Sequence, residues 1–179
     1  MVTRTARDFA IRRCTTEDAQ MMGSLGARLF AETYGPTHPE PELSRYLARS
    51  FAPHVLRDAL EHSDVTMFVA EDLASRPIGY AFLRRTVDLP EGVTNANSFE
   101  IVRFYVDTAA QGRGVGAALM EECLADARRR GADAIWLQVW KEAPWAVGFY
   151  ERMGFSAVGS APFYFGDQIG DDHIMSKDL

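Results

Sequence analysis

The residues best suited to chemistry are Gln111-Gly112-Arg113-Gly114-Val115-Gly116-Ala117. Glycines let a backbone turn sharply and let a ligand approach the peptide N–H groups without interference from a Cβ. Before this run, Phe99-Glu100-Ile101-Val102-Arg103-Phe104-Tyr105-Val106 is rich in β-branched and aromatic residues and reads as a strand. After it, residues 118–130 carry apolar side chains at helical spacing. The first N–H groups of a helix have no partner inside it, and the helix dipole places partial positive charge there. A strand, a glycine turn and a helix start therefore form an anion site, most naturally for a phosphate. A P-loop would need Lys-Ser/Thr after the last glycine, whereas Ala117 and Ala118 follow Gly116. The run Gly112-x-Gly114-x-x-Ala117 satisfies the loose dinucleotide pattern. The chain remaining after it is too short for a doubly wound sheet.

The elements that must hold this turn can be read in order. Residues 9–14 alternate apolar and polar, as a strand does. A helix is expected over 18–34, broken by Gly35-Pro36, followed by shorter helices over 39–50 and 53–62. This helical insert can wall a substrate pocket. Residues 65–71 and 77–86 read as a hairpin, and 88–97 as a loop. Leu119, Met120, Cys123, Leu124 and Ala127 form the buried face of the 118–130 helix, and Gly131 ends it. Residues 134–140 form a strand parallel to the one before the turn, because a helix connects them. Pro144 starts a helix that ends at Gly154. Final strands are expected over 155–165 and 173–177, joined by a loop over 166–172.

The chain has 179 residues, 47% hydrophobic and 25% charged, an ordinary balance for one globular domain spanning 1–179. Its net charge of −6 argues against nucleic acid as the main partner. No apolar run approaches the length of roughly 20 residues needed to span a bilayer, so no membrane partner is expected. The first residues lack an apolar signal core, and a cytoplasmic location is expected. Cys14 and Cys123 form no metal or redox motif and read as buried, reduced thiols. The histidines show no metal-binding spacing, and no metal is expected. The sequence leaves monomer and homodimer both open.

Gln111, Gly114 and Gly116 also fit Q-x-x-G-x-G/A, and here the chain resembles the GNAT acetyltransferases, whose acetyl-CoA pyrophosphate signature this is. A second match strengthens the resemblance. The family pattern N-x-x-A-x-x-F-Y-x-x-x-G-F is met at Ala146, Phe149, Tyr150, Gly154 and Phe155, with Ala143 in place of the asparagine. That asparagine often contacts CoA, and its role does not carry over. Phe30 to Tyr34, Glu100 to Val106, Ile135 to Trp140 and Phe163 to Asp167 look like bacterial polyamine acetyltransferases of the PaiA type.

The resemblance implies an α/β fold, with a mixed, mostly antiparallel sheet of about six or seven strands flanked by helices. The sheet would splay beside the cofactor to admit pantetheine. It implies acetyl-CoA as cosubstrate, bound by Phe104, Tyr105, Val106 and Gln111 to Ala117, with Arg113 near the pyrophosphate and a backbone N–H near Val106 facing the thioester oxygen. Direct attack by a primary amine is expected, because no activated serine or cysteine motif is present. Alkyl amines have a pKa of about 10.4 and must lose a proton first. Glu100 is the expected acceptor of that proton. Tyr150, the tyrosine of the F-Y pair, is the expected donor to the departing thiolate. The net charge and Asp167, Asp171 and Asp172 suggest a cationic amine such as a polyamine. Amino acids, antibiotics and protein amines are alternative acceptors. A CoA-binding regulatory module without turnover is a different class, raised by Ala143.

Overall fold

The computed structural model describes residues 7–165 and 168–179. Seven strands, β1 (Phe9–Arg13), β2 (Val65–Asp72), β3 (Pro77–Thr86), β4 (Ser98–Val106), β5 (Ala134–Trp140), β6 (Ser156–Phe165) and β7 (Gln168–Asp178), join one sheet. Their order is β1-β2-β3-β4-β5-β7-β6. Among the described residues only β4 and β5 run parallel; the other pairs are antiparallel. This is the mixed, mostly antiparallel α/β fold expected from the sequence.

Among the described residues five α-helices cover the sheet: α1 (Ala19–Tyr34), α2 (Glu42–Ser50), α3 (Pro53–Glu61), α4 (Val115–Arg129) and α5 (Pro144–Arg152). One face packs against α4 and α5 around Phe99, Leu119, Leu137 and Tyr150. The other packs against α1, α2 and α3 around Met22, Leu29, Phe30 and Met67. Burying both faces explains why β2 reads as a nearly continuous apolar run rather than an alternating one. Among the described residues no helix is long and apolar enough to cross a membrane. Cys14 and Cys123 are both free and buried.

Two boundaries differ from expectation in ways that matter. The helix after the glycine turn begins at Val115 rather than 118, because Gly114 takes the left-handed conformation (φ 84°) that caps it, and the Ala118 N–H donates to its carbonyl. The final strand begins at Gln168 rather than 173. Asp171 and Asp172 are therefore strand residues, not loop residues. β7 lies between β5 and β6, so ladders on both sides override its polar sequence. Gly166 and Asp167 lie outside the described residues.

The feature that positions the site is a break between the parallel strands. β4 pairs with β5 only from Ser98↔Ala134 to Ile101↔Leu137. Beyond Ile101, β4 stays on β3 as far as Gly79↔Val106, while β5 stays on β7 as far as Trp140↔Asp172. The β3–β4 register shifts between Phe82 and Leu83, leaving Val102 as the extra residue of a bulge. A bulge bends its strand and strengthens its twist, here where β4 leaves β5. Backbone groups of β4 that would have bonded β5 then face a gap.

Candidate active site

Two cavities meet at this gap. The larger, about 520 Å³, lies on the α4–α5 side and is lined by the splayed ends of β4 and β5, the glycine turn and one face of α5. Gly112 and Gly114 both have positive φ (76° and 84°), and a Cβ added at either would meet no atom within 4 Å. Only glycine adopts this backbone freely, and the space beyond both residues is open. At Gly116 the constraint is packing, because an added Cβ would sit 3.3 Å from the Phe149 ring. The Gln111 side chain donates to the Val106 carbonyl at 3.3 Å, tying the turn to the end of β4. Asp107, between them, accepts from the Ala109 N–H at 3.0 Å and pairs with Arg28 of α1 at 2.9 Å. A latched glycine turn at the start of a four-turn helix fits a pyrophosphate: exposed N–H groups, a favourable dipole and no side chain in the way.

The residues expected to contact the cofactor do not all face this cavity. Phe104, Val106, Gln111, Gly112, Gly114, Gly116 and Ala117 line it. The Val115 side chain is buried in the core, leaving only its backbone toward the turn. Arg113 does not line the cavity and is paired with Asp8. Tyr105 lines both cavities, with its ring near those of Tyr34 and Tyr80.

Tyr150 projects from α5 into the larger cavity. Its ring sits 5.3 to 6.2 Å from those of Phe149, Phe155 and Phe104, a setting that fixes its orientation. Burial pushes its hydroxyl above the ordinary tyrosine value, so it keeps its proton at neutral pH. Ala143 also lines this cavity, at the N-cap of α5, where it offers no side-chain acceptor.

The second cavity, about 390 Å³, lies on the α1–α2 side of the gap. Its walls are mostly aromatic: Phe30 and Tyr34 from α1, Tyr46 from α2, Trp140 from β5, Phe163 and Phe165 from β6, with His38 beside them. The Nδ1 of His38 lies 3.0 Å from the Tyr34 carbonyl and 2.9 Å from the Thr37 hydroxyl. The bulge at Val102 shapes the floor. Side chains alternate along a strand, and one extra residue lets Glu100, Val102, Arg103 and Tyr105 all reach this side. The Arg103 guanidinium stacks over the Phe51 ring at 4.3 Å.

Two carboxylates line this cavity and differ in their partners. Glu100 is paired with Arg84, directly opposite it on β3. Asp172, only 6% exposed, accepts a hydrogen bond from the Gln138 side chain at 3.2 Å. Burial pushes its carboxyl above the ordinary aspartate value, an effect that the Gln138 hydrogen bond opposes. Asp171, the preceding residue, points the other way and pairs with Lys141. Sequence reasoning singled out Asp172 but not Tyr34, His38, Gln138 or Arg103. Gln138 carried a signal, as the polar residue within Ala134-Ile135-Trp136-Leu137-Gln138-Val139-Trp140. The others are joined only by the tertiary fold.

Residues 27–155 match the sequence model of the Acetyltransferase (GNAT) family. The chain is 35% identical over 165 residues to Serotonin N-acetyltransferase 2, chloroplastic, from Oryza sativa subsp. japonica, covering 89% of this chain and 69% of that protein. Its fold is similar to that of a PaiA N-acetyltransferase from Thermoplasma acidophilum in complex with coenzyme A, with a TM-score of 0.75, 19% identity, and coverage of 96% of this chain and 99% of the other. It is also similar in fold to the spermidine N-acetyltransferase SpeG from Vibrio cholerae, with a TM-score of 0.69, 19% identity, and coverage of 97% and 95%.

Proposed function

The chain belongs to the GNAT family of acetyltransferases, and from that premise we propose that it transfers acetyl from acetyl-CoA to a small primary amine, with both substrates bound at once. The observation that carries this reading is the break between β4 and β5, which joins a phosphate-suited cavity to an aromatic one with a buried carboxylate. Acetyl-CoA supplies a thioester carbonyl, activated toward attack by an amine. The turn from Gln111 to Ala117 holds the pyrophosphate on backbone N–H groups, and Phe104, Tyr105 and Val106 line the route toward the gap. A backbone N–H near Val106, freed by the splay, polarises the carbonyl oxygen. Tyr150 gives its proton to the departing sulfur. Arg113 can aid the pyrophosphate only by leaving Asp8. The amine's proton goes to one of the two carboxylates facing the second cavity, Glu100 or Asp172. A single domain over 1–179 and a cytoplasmic location belong to the same proposal. The amine is the partner, without nucleic acid or membrane, and a homodimer is compatible with this reading.

Two finer readings of the amine each have support. A polyamine is favoured by the acidic chain and by the PaiA-type resemblance. A monoamine on a flat aromatic body is favoured by the walls, which offer many rings and only one carboxylate without a cationic partner among the described residues. It is also favoured by the likeness to a plant protein named for serotonin. Initial rates of thiol release with spermidine, spermine, phenylethylamine, tryptamine, amino acids, aminoglycosides and peptides test all of this. Turnover of spermidine well above a monoamine of equal length, rising with pH and falling with salt, selects the first. Tryptamine well above spermidine selects the second. Tight acetyl-CoA binding without release of thiol for any amine would leave a CoA-binding regulatory module.

A further inference from the structure

Resting on the transfer reading above, we propose that Asp172 is the carboxylate that seats the acceptor's ammonium group and removes its proton. Among the described residues two aspartates are buried, and their surroundings differ. Asp126, 2% exposed, accepts from the Thr66 hydroxyl at 3.0 Å and has the guanidinium groups of Arg13, Arg129 and Arg130 within 3.1 to 3.8 Å. Its charge is compensated from inside the protein. Asp172 is buried to a similar degree, yet its one hydrogen-bond partner among the described residues is the neutral amide of Gln138. Lys141, the nearby cation, is paired with Asp171 instead. A buried carboxylate without a cation is normally avoided unless something brings one. Its position, opposite Trp140 where β5 has parted from β4, faces the cavity from which an amine would approach the gap.

The other carboxylate in that cavity is differently placed. Glu100 already has Arg84, so an ammonium arriving there would compete with a guanidinium. Asp172 has no such competitor. Burial also raises the proton affinity of Asp172, as a general base needs, and an arriving ammonium favours its ionised form. Tyr34, His38, Glu100, Arg103 and Lys141 surround it from the neighbouring elements, with Asp171 and His173 beside it on β7. The proton balance closes. The amine enters as R–NH3+ and gives one proton to Asp172. Its nitrogen lone pair then forms the C–N bond as the C–S bond breaks, and the sulfur leaves with the bonding pair. Tyr150 protonates the sulfur and is restored by the second proton lost from nitrogen. Asp172 releases the first proton to solvent.

Asp172→Asn tests this, with kcat/KM for amines followed from about pH 6 to 10. The expected result is a loss of at least about a hundredfold at pH 7, shrinking toward pH 10 as solution supplies more neutral amine. Acetyl-CoA affinity should be unchanged. The ionised form of Asp172 is the one burial penalises, so the variant should melt no lower than wild type at pH 7. A structural carboxylate would give the opposite result. Gln138→Leu, which removes the hydrogen bond holding the Asp172 pKa down, should move the acid limb of the profile to higher pH. Calorimetry of amine binding to the CoA-bound protein separates this proposal from the transfer reading. Asp172 as the ammonium seat requires binding to wild type at least about tenfold tighter than to the variant, with or without turnover. Equal binding to both, a loss of activity independent of pH, or the expected profile appearing in Glu100→Gln instead would overturn it.

Discussion

The two walls of the gap are built in different ways. The cofactor wall comes largely from one stretch of chain, the end of β4, the glycine turn and the first turn of α4, completed by α5. On the proposed reading, backbone does most of its binding: φ values, N–H groups and a helix dipole. The acceptor wall draws on α1, α2, β4, β5, β6 and β7, and on the same reading it binds through side chains. A backbone site is robust to sequence change but sensitive to any residue that cannot adopt its conformation. A side-chain site can be retuned one residue at a time. This explains how one fold keeps its cosubstrate while its acceptors vary.

The sharpest way to probe the seam between the walls is Tyr150→Phe. The three surrounding rings still have a ring to pack against, so fold and acetyl-CoA affinity should hold. Loss of the proton donor should lower kcat by on the order of tenfold to a thousandfold. Burial raises the Tyr150 pKa, so the wild-type enzyme should show no alkaline loss from this residue until well above the ordinary value of about 10. Unchanged kcat, with chemistry rate-limiting, would make Tyr150 a packing residue only.

Next in size is the cofactor wall itself. Gly114→Asp puts a negative charge and a disfavoured φ where the phosphates are expected, and should weaken acetyl-CoA binding at least several-fold. Gly131 provides the control. It has the same left-handed conformation (φ 74°) and the same open space, but sits just past the C-terminal end of α4. Gly114→Ala and Gly131→Ala should each destabilise by about 1 kcal/mol, the penalty for a Cβ in this conformation. Only Gly114→Ala should also change acetyl-CoA affinity. Equal affinities in the two variants would remove the turn from the site.

These contrasts also show what could be read from the sequence. The glycine turn was legible because conformation is local, and an element with glycines at three positions between a strand and a helix has few other uses. Individual strands and helices followed from periodicity, and the sheet architecture from the family resemblance. The bulge at Val102 was not legible, since nothing in Ile101-Val102-Arg103 marks it, yet it decides which side chains reach the acceptor. Asp171 and Asp172 look alike in sequence. Strand alternation sends one to Lys141 and the other into the cavity, a distinction that needs β7 to be placed first. Arg113 reads as a phosphate ligand until the fold brings Asp8 to it.

On the acceptor wall, Phe165→Leu is expected to have a smaller effect. Phe165 is 2% exposed and packs against Tyr46 at 5.2 Å and His38 at 4.1 Å between ring centres. Leucine keeps the apolar volume and loses the flat face. The amine KM should rise about threefold to tenfold while the acetyl-CoA KM stays put, since stacking of one ring is worth about 0.5–1.5 kcal/mol. Parallel changes in both KM values would mean that the two walls are not separable.

The smallest effect expected is a gain, at the one position where the chain departs from its family's pattern. Ala143 is the N-cap of α5; its carbonyl accepts from the Ala146 and Val147 N–H groups at 2.9 and 3.0 Å, but its methyl group caps nothing. Pro144 has no N–H, so the next donor an N-cap side chain could take is that of Trp145. Ala143→Asn supplies the missing acceptor. A good cap contributes about 0.5–2 kcal/mol, and each kcal/mol moves Tm by about 2–4 °C in a chain of this size. The position is at the surface end of α5, with Trp145 exposed, and the low end of the range is taken. A rise of about 1–2 °C is expected. Ala143 also lines the cofactor cavity, so the new amide should tighten acetyl-CoA binding by about twofold to fivefold, the lower half of the about 0.5–1.5 kcal/mol that one added neutral hydrogen bond is worth. A higher Tm with unchanged affinity would assign the family's asparagine to helix capping in this chain. A lower Tm would mean that the 5% exposure of Ala143 leaves no room for the larger side chain. The cofactor wall would then depend on side-chain packing at α5, as the acceptor wall does throughout.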